Sequence, residues 1–183
     1  VRDVNGEPFH SYARERRVQL EYADFPPMLI RAYLSAEDKN FFSHGGIDYI
    51  GIIVAVFDNL TSSGRSRGAS TITQQVAKNL LLTNEYSYTR KIKEAILAYR
   101  IENALNKQQI LSLYMNEIAL GRQAFGVEAA AQAYFGKSAD ALELHEMAFL
   151  ATLPKAPERY SRAEHERAAI ARRNWILGEM VSN

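Results

Sequence analysis

The sequence predicts one mainly α-helical domain with a short extended segment at its N-terminal end. Its 183 residues suit a single domain. Apolar residues recur at helical spacing from residue 27 onwards. The 47% hydrophobic and 23% charged residues are typical of a globular protein, which excludes disordered and collagen-like chains. The absence of cysteine also excludes a disulfide scaffold, Cys-ligated zinc, an iron–sulfur cluster and thiol catalysis.

Residues 1–25 form the predicted extended segment. The Asn5-Gly6 pair is a turn signal that favours a short hairpin. Val18, Leu20 and Tyr22 then alternate onto one face, as side chains of an extended chain do. We therefore expect extended structure up to the first pair of prolines.

Helical spacing begins at that pair, because proline favours the first turn of a helix. Glycines and prolines separate the helical segments that follow. The predicted helices cover residues 27–41, 47–59, 69–82, 89–105, 107–117, 126–135, 139–152 and 163–180.

No apolar stretch is long enough to cross a bilayer, because a span needs about 20 apolar residues. The longest apolar run, Ile52 to Phe57, has six. The chain starts at Val1 rather than at Met, and it stops within the last predicted helix. We therefore expect residues 1–183 to be one domain of a longer protein; a signal or anchor upstream and further domains downstream would lie outside this sequence.

Charge is balanced overall but uneven along the chain. The 22 basic and 21 acidic residues leave a net charge of +1, which gives no reason to expect nucleic acid as a partner. Between Arg65 and Lys107, however, eight basic and three acidic residues give a local charge of +5. This stretch is either a solvated helix face with ion pairs between turns or a binding site for an anion.

A carboxylate stands out on the first predicted helix. Ile30, Tyr33, Glu37 and Phe41 share one stripe of that helix, so Glu37 lies among apolar and aromatic groups. Burial would raise the pKa of this carboxyl and make it usable as a base or an acid. The alternative is a different helix phase that turns Glu37 to solvent.

The segment from Asp38 to Gly46 ends this helix in a glycine-rich turn. It carries two phenylalanines and His44, an arrangement suited to fixing a side chain at the edge of a cleft. We interpret His44 as a hydrogen-bonding residue that orients its neighbours rather than as a catalyst.

A second polar segment runs from Gly68 to Leu80. Ser70 or Gly68 can cap its helix. The predicted buried stripe consists of Ile72, Val76 and Leu80, and the polar face consists of Thr71, Gln75, Lys78 and Asn79. Uncharged donors around one ammonium group at a helix N-terminus suit a phosphate or sugar phosphate, although an ordinary amphipathic helix is the alternative.

A third cluster opens the next helix, where Arg90 and Lys91 precede Glu94 by about one turn. The same helix is predicted to turn Ile92, Ile96 and Tyr99 inward. The cluster is either a surface ion-pair group or a site in which the cations hold a diphosphate and Glu94 positions a cation or a substrate hydroxyl.

Taken together, these motifs resemble those of the peptidoglycan glycosyltransferases (glycosyltransferase family 51), which include class A penicillin-binding proteins and monofunctional enzymes. The motifs are Glu37-Asp-x-x-Phe-x-x-His44-x-Gly46-x-Asp48, Gly68-x-Ser-Thr-Ile-Thr-Gln-Gln75, Arg90-Lys-x-x-Glu94 and Lys107-x-x-Ile-Leu-x-x-Tyr-x-Asn116. The likeness extends from Pro26-Pro27 to Arg172-Arg173. Ser112 and Met115 depart from it, since they stand where the family usually has Glu and Leu.

This resemblance implies a lysozyme-like helical fold with a small jaw-like lobe near the membrane at about residues 47–83. It implies polymerisation of lipid II, in which the GlcNAc 4-hydroxyl attacks a glycan on a polyprenyl diphosphate with inversion. The chain contains no S-x-x-K or K-T-G motif, so a transpeptidase domain could only be fused outside it.

The resemblance also assigns roles. Glu37 would be the catalytic base, and Glu94 would assist on the donor side. The implied substrate-binding residues are Asp38, Phe41, His44, Ser70, Thr71, Gln75, Lys78, Asn79, Arg90 and Lys91. No tightly bound cofactor is implied, and a divalent cation (Mg²⁺ or Mn²⁺), at Glu37 or on the diphosphate, stays open. The implied location is the outer face of the bacterial cytoplasmic membrane, where the domain would contact the membrane surface.

Two other functions compete with this one. A lysozyme or lytic transglycosylase would use a buried Glu as an acid on a glycan, but a neutral polysaccharide offers the basic stretch nothing to bind. A non-catalytic module could instead bind anionic lipid through its basic residues.

Overall fold

The computed structural model of the chain describes residues 19–49, 51, 53, 70–80 and 88–182. The α-helices with described bounds are α1 (Pro27–Glu37), α2 (Ile72–Leu80), α3 (Tyr88–Ala104), α4 (Lys107–Glu117), α5 (Val127–Phe135), α6 (Leu144–Leu150), α7 (Pro157–Tyr160) and α8 (Glu166–Ser182). Short 3-10 helices cover Tyr22–Asp24, Phe41–Ser43, Ala139–Ala141, Leu153–Lys155 and Ala163–His165. No strand occurs among these residues, and the mainly helical fold class is confirmed.

Helix α1 is the centre of the packing. It contacts α6 and α8 on one side of the core, while α2 packs against α3 and α4. The largest fully buried side chains include Tyr33, Tyr114, Phe41, Leu29, Ile72, Ile110, Leu111 and Met115. One hydrophobic core therefore joins the first helix to the last and holds the C-terminal residue of α1 between α2 and α8.

Helix bounds agree with the prediction where local signals are strong. Helix α4 has the predicted bounds, because Asn106 and Gln109 form a reciprocal capping box at its start. Helix α1, predicted to reach residue 41, ends at Glu37, because the backbone of Asp38 leaves the helical region with φ −162° and ψ 75°. Phe41 therefore lies outside the helix, although its side chain is still buried.

The prediction of extended N-terminal structure is wrong at Tyr22–Asp24, whereas the backbone of Glu21 is extended, with φ −76° and ψ 163°. Tyr22–Asp24 form a 3-10 turn instead of extended chain, because the N–H of Glu21 donates to Asp24 Oδ2 at 2.9 Å. The backbone of Leu20 is anchored on α4 by both groups of the Asn116 amide, at 3.0 and 2.8 Å. The predicted hairpin lies in residues 1–18, outside the described residues.

The predicted phase of α3 is also wrong. Ile92, Ile96 and Tyr99 are 62%, 51% and 64% exposed, whereas Glu94 and Ala98 face the core. The turn at Gly46 lies close to the backbone of this helix, since a Cβ on Gly46 would lie 3.4 Å from the Ala98 carbonyl oxygen. The buried face of α3 therefore combines a charged residue, Glu94, and a small one, Ala98, with Ile101.

Helix α2 departs from the prediction at both ends. Its cap is Thr71 rather than Ser70 or Gly68, because Thr71 Oγ1 accepts from Gln74 N at 3.1 Å and Gln74 Oε1 accepts from Thr71 N at 3.0 Å. Leu80, predicted to be buried, is exposed at the other end.

Two further expectations concern the membrane lobe and α4. The lobe at residues 47–83 falls largely outside the described residues. Within the part of the chain that the structure describes, no helix has the length and hydropathy of a membrane span.

In α4, Met115 is fully buried, and Ser112 Oγ has no hydrogen-bond partner among the described residues, so the helix keeps its packing role without the polar contact of a glutamate.

Candidate active site

Glu37 is the last residue of α1, and its carboxylate is held from two sides. Gln75 Nε2 of α2 donates to Oε2 at 3.0 Å. Arg172 Nη2 of α8 donates to Oε1 at 3.5 Å. The side chain of Glu37 is only 13% exposed, so the carboxylate is shielded from solvent but still reaches the surface.

This environment shifts the acidity of Glu37. Burial raises the pKa of the carboxyl above its ordinary value. The hydrogen bond from Gln75 and the charges of Arg172 and Lys155 lower the pKa without cancelling that effect, and the charge of Asp38 raises it further. Glu37 can therefore accept a proton more readily than an exposed carboxylate can.

Two buried tyrosines orient the amide of Gln75. Tyr114 OH donates to Gln75 Oε1 at 3.4 Å, which leaves the NH₂ group of that amide pointing to Glu37. Tyr33 packs edge-on against the Tyr114 ring with centroids 6.2 Å apart, and its own hydroxyl donates to Leu150 O at 3.3 Å. Burial raises the pKa of both phenols well above the ordinary value, and the Glu37 charge adds to the shift, so both remain donors.

Asp38 joins α1 to the start of α2. It accepts from Ile72 N at 2.9 Å and from His44 Nε2 at 2.9 and 3.0 Å. Since His44 Nδ1 accepts from Gly46 N at 3.1 Å, the ring proton must lie on Nε2. Thr71 Oγ1 donates to Gly46 O at 2.6 Å and closes the turn. These residues hold Glu37 and Gln75 in place.

Phe41 packs against this turn through its contact with His44. Its ring packs edge-on against His44 with centroids 6.1 Å apart, and Lys107 Nζ lies 4.4 Å from the Phe41 ring centroid. Lys107 also pairs with Glu102 Oε1 at 2.7 Å. This part of the basic stretch therefore matches the ion-pair interpretation.

A second carboxylate, Glu94, lies on α3 and is almost completely buried. Arg90 Nε lies 3.1 Å from its Oε1, and Lys91 Nζ lies 3.0 Å from its Oε2. Lys91 also donates to Ser70 Oγ at 3.1 Å, next to the cap of α2. The Lys91 side chain is 53% exposed, so its ammonium group can still reach an anion in solvent.

The structure thus assembles two groups at the start of α2. Gln75 bonds directly to Glu37, and Asp38, Phe41, His44 and Thr71 build the turn next to it. Arg90 and Lys91 pair with Glu94, and Ser70 accepts from Lys91. Lys78 and Asn79 are exposed on the last turn of α2, and among the described residues no hydrogen bond or ion pair joins them to either carboxylate.

Sequence reasoning missed Arg172, Lys155 and Tyr114 as neighbours of the site. Tyr114 and Arg172 lay within the quoted motifs or at their end, but nothing in the local pattern of either helix indicates a contact with Glu37. Arg172 is separated from Glu37 by 135 positions. Only packing of α8 against α1 brings the two together.

The described residues offer no group of three or more His, Asp or Glu side chains placed to hold a metal ion. The two carboxylates are each occupied by protein donors: Gln75 and Arg172 at Glu37, and Arg90 and Lys91 at Glu94. Among the described residues, the site therefore brings together a shielded carboxylate and a partly exposed cation.

Comparisons with known proteins show the family of this chain. The family model described as Transglycosylase matches residues 5–181. Penicillin-binding protein 1A of Rickettsia felis is 48% identical over 182 residues, which cover 98% of this chain and 23% of that protein. Penicillin-binding protein 1A of Escherichia coli is 45% identical over 181 residues, or 99% of this chain and 21% of that protein.

A crystal structure of penicillin-binding protein 1A from Haemophilus influenzae is 30% identical, with a TM-score of 0.48, and the match covers 90% of this chain and 15% of that chain. The chain thus spans less than a quarter of the length of the curated relatives named above. Since the family model covers nearly every residue, the chain belongs to the transglycosylase family.

Proposed function

We propose that this chain is a peptidoglycan glycosyltransferase domain that polymerises lipid II into glycan strands by inverting transfer. The observation that supports this most directly is Glu37, a shielded carboxylate held on both oxygens by Gln75 and Arg172. Membership of the transglycosylase family supports the same conclusion.

In this proposal Glu37 is the base. It takes the proton of the GlcNAc 4-hydroxyl of lipid II while that oxygen forms a bond to the anomeric carbon of the donor sugar. The bond from that carbon to the diphosphate breaks, and the electron pair leaves with the diphosphate. Because diphosphate is a good leaving group, the site needs a base and a cation rather than a second carboxyl group that carries a proton.

Lys91 is the cation that we assign to the departing diphosphate. Its side chain is 53% exposed, and its ammonium group donates to Ser70 Oγ at 3.1 Å beside the start of α2. Glu94 holds both Lys91 and Arg90, so its role is to fix the cations on the donor side. Lys78 and Asn79 are exposed farther along α2. They would contact a part of the substrate that extends beyond the diphosphate held by Lys91.

A divalent cation, Mg²⁺ or Mn²⁺, would arrive with the diphosphate. Such an ion would add positive charge at the departing diphosphate, while the steps assigned above to Glu37 and Lys91 belong to the chain's own residues. We also propose that the polyprenyl chain of the substrate places the domain at the outer face of the cytoplasmic membrane, and that the parent protein carries a fused transpeptidase domain.

A raised pKa at Glu37 would also suit the acid of a glycan-cleaving enzyme. Arg172 argues against that role, because a neighbouring cation favours the ionised form that a base requires. Incubation with purified glycan strands separates the two: fragments would support cleavage, and intact strands together with polymer from lipid II would support transfer.

The central test is Glu37→Gln, which keeps the size of the side chain but removes its basicity. We expect polymer formation from lipid II to fall by about 10²- to 10⁴-fold, since that is the usual contribution of a general base. Binding of lipid II should persist, as measured by retention on lipid II vesicles.

The matched control is Glu166→Gln, which changes an exposed glutamate at the start of α8. We expect this variant to polymerise lipid II at the wild-type rate. Turnover in Glu37→Gln equal to that of Glu166→Gln would remove Glu37 from the mechanism. Lipid binding without polymer in the wild type would favour the non-catalytic module.

A further inference from the structure

We infer that Arg172 is a positioning residue for the reaction: from α8, it holds Oε1 of Glu37 so that the carboxylate keeps one orientation toward the acceptor hydroxyl. This inference rests on the proposed function, because it assigns Arg172 a role only through Glu37. It does not place Arg172 in contact with substrate.

The geometry that supports this role is a clamp with two arms. Gln75 Nε2 holds Oε2 of Glu37 at 3.0 Å, and Arg172 Nη2 holds Oε1 at 3.5 Å. The arms come from different helices, α2 and α8, so the carboxylate cannot rotate about its last side-chain bond without breaking one of them. Glu37 is the last residue of α1, where the helix ladder no longer restrains the chain beyond it.

Arg172 is itself restrained. Its side chain is only 14% exposed, and its guanidinium carbon lies 5.3 Å from the ring centroid of Trp175 on the same helix. Its Nε is buried and has no hydrogen-bond partner among the described residues. The contacts described for the guanidinium group are therefore the Glu37 carboxylate and the Trp175 ring, which is not the pattern of a residue placed for surface charge.

The charges around Glu37 show why its contact with Arg172 affects the ionisation of the carboxyl group. The groups that face it are Gln75 of α2, Tyr114 of α4, Tyr33 and Asp38 at α1, Lys155 and Arg172. The two phenols are neutral, and the Asp38 charge opposes ionisation. Lys155 is exposed, whereas Arg172 pairs directly with the carboxylate. Arg172 is therefore the cation in direct contact with the carboxylate, and its charge lowers the pKa of Glu37 against the effect of burial.

The test compares Arg172→Gln and Arg172→Lys with Arg173→Gln in the 183-residue chain, with lipid II as the substrate. Arg173 is the matched control, because it is the next residue of α8 and donates to Asn174 Oδ1 at 3.1 and 2.9 Å. We expect Arg172→Gln to lower kcat by about 10- to 100-fold, the size of effect that misplacing a reacting group by about 1 Å produces. KM should change by less than about threefold, because Arg172 does not contact the substrate.

The pH profile separates positioning from a loss of folded protein. Without Arg172 the pKa of Glu37 rises further, so the acidic limb of the kcat profile should move to higher pH in Arg172→Gln. Arg172→Lys keeps the positive charge and should leave that limb close to the wild-type position. The folded fraction of each variant is measured across the same pH range, so that kcat is expressed per folded enzyme and the position of the limb reports on Glu37.

The outcomes distinguish two failures. If the wild type and Arg173→Gln form polymer, and Arg172→Gln has the same kcat and acidic limb as they do, the inference is wrong while the proposed function stands. The inference is also wrong if Arg172→Lys, soluble and with a wild-type melting temperature, shows the same shifted limb as Arg172→Gln. No polymer from the wild type overturns the proposed function, and this inference with it.

Discussion

At Glu37, burial and ion pairing act in opposite directions on one carboxyl group. Burial raises its pKa, whereas Gln75 and Arg172 lower it, and the effect of burial is the larger. A base needs this balance, because a fully stabilised carboxylate holds protons weakly and an unsupported one stays protonated. The same balance makes Glu37 a cost to the folded state at neutral pH.

That cost leads to a prediction about stability. Because the pKa of Glu37 is raised in the folded chain, its contribution to stability is present below the unfolded-state pKa and is lost as the pH rises through the folded-state pKa. Glu37→Gln resembles the protonated form, so we expect its melting temperature to equal or exceed that of the wild type at about pH 7. The difference should shrink toward about pH 4, as Glu37 itself becomes protonated.

Calorimetry across this pH range provides the measurement. A variant that is less stable than the wild type at neutral pH would mean that the pair with Arg172 outweighs burial. In that case the raised pKa of Glu37 would be contradicted.

Single residues also show where the sequence is informative. Glu37 stands out because an acidic side chain interrupts an apolar stripe, a pattern that lies within one helix. Arg172 gives no such signal, because an arginine beside another arginine on a helix is ordinary in composition. Its role depends on a contact that only the folded chain makes.

At the scale of elements, the apolar spacing in α3 does not predict which face of this helix is buried. Ile92, Ile96 and Tyr99 have the spacing of a buried stripe, yet they are exposed, while Glu94 and Ala98 face α2 and the turn at Gly46. An apolar stripe usually marks the buried face of a helix. In α3 it does not, because the opposite face carries the buried ion-pair cluster of Glu94 and makes the close contact with the turn at Gly46.

This phase can be tested by the double substitution Ile92→Gln/Ile96→Gln. Since both side chains are exposed, we expect the free energy of unfolding to change by no more than about 0.5 kcal/mol per site. Ile101→Ala on the buried side of the same helix should cost about 2–5 kcal/mol. Urea denaturation measures both free energies of unfolding. A larger decrease in the double variant than in Ile101→Ala would mean that Ile92 and Ile96 point into the core.

The turn after α1 offers a second test at this scale. Gly46 has φ +92°, and a Cβ there would lie 2.9 Å from Glu102 Cγ. We expect Gly46→Ala to destabilise the fold by about 1–3 kcal/mol, the usual cost of a side chain in a sparsely populated backbone region. Chemical denaturation gives this value directly.

The neighbouring Gly45 provides the control, because a Cβ there would meet no atom within 4 Å. Gly45→Ala should change the free energy of unfolding by at most about 0.5 kcal/mol. Equal losses in the two variants would mean that the turn tolerates no side chain at all, and that the close approach of Gly46 to α3 is not the cause.

At the scale of the whole molecule, the site lies where the end of α1 meets α2 and α8. Helix α1 ends between α2 and α8, and α2 in turn packs on α3, so the groups around Glu37 and Glu94 share one helix start. Arg172 lies near the C-terminal end of the chain and Glu37 near its beginning. The candidate site therefore exists only when the first and last helices of the domain are packed together.

The sequence by itself determined the helical class, most helix positions, the carboxylate at Glu37 and the cluster around Glu94, because helix periodicity, capping residues and an acid in an apolar stripe act over a few residues. Only the tertiary structure decided which face of α3 is buried and that Arg172 reaches Glu37. The physical reason is that both depend on contacts between helices far apart in the chain, where close packing and the pairing of buried charge outweigh local pattern.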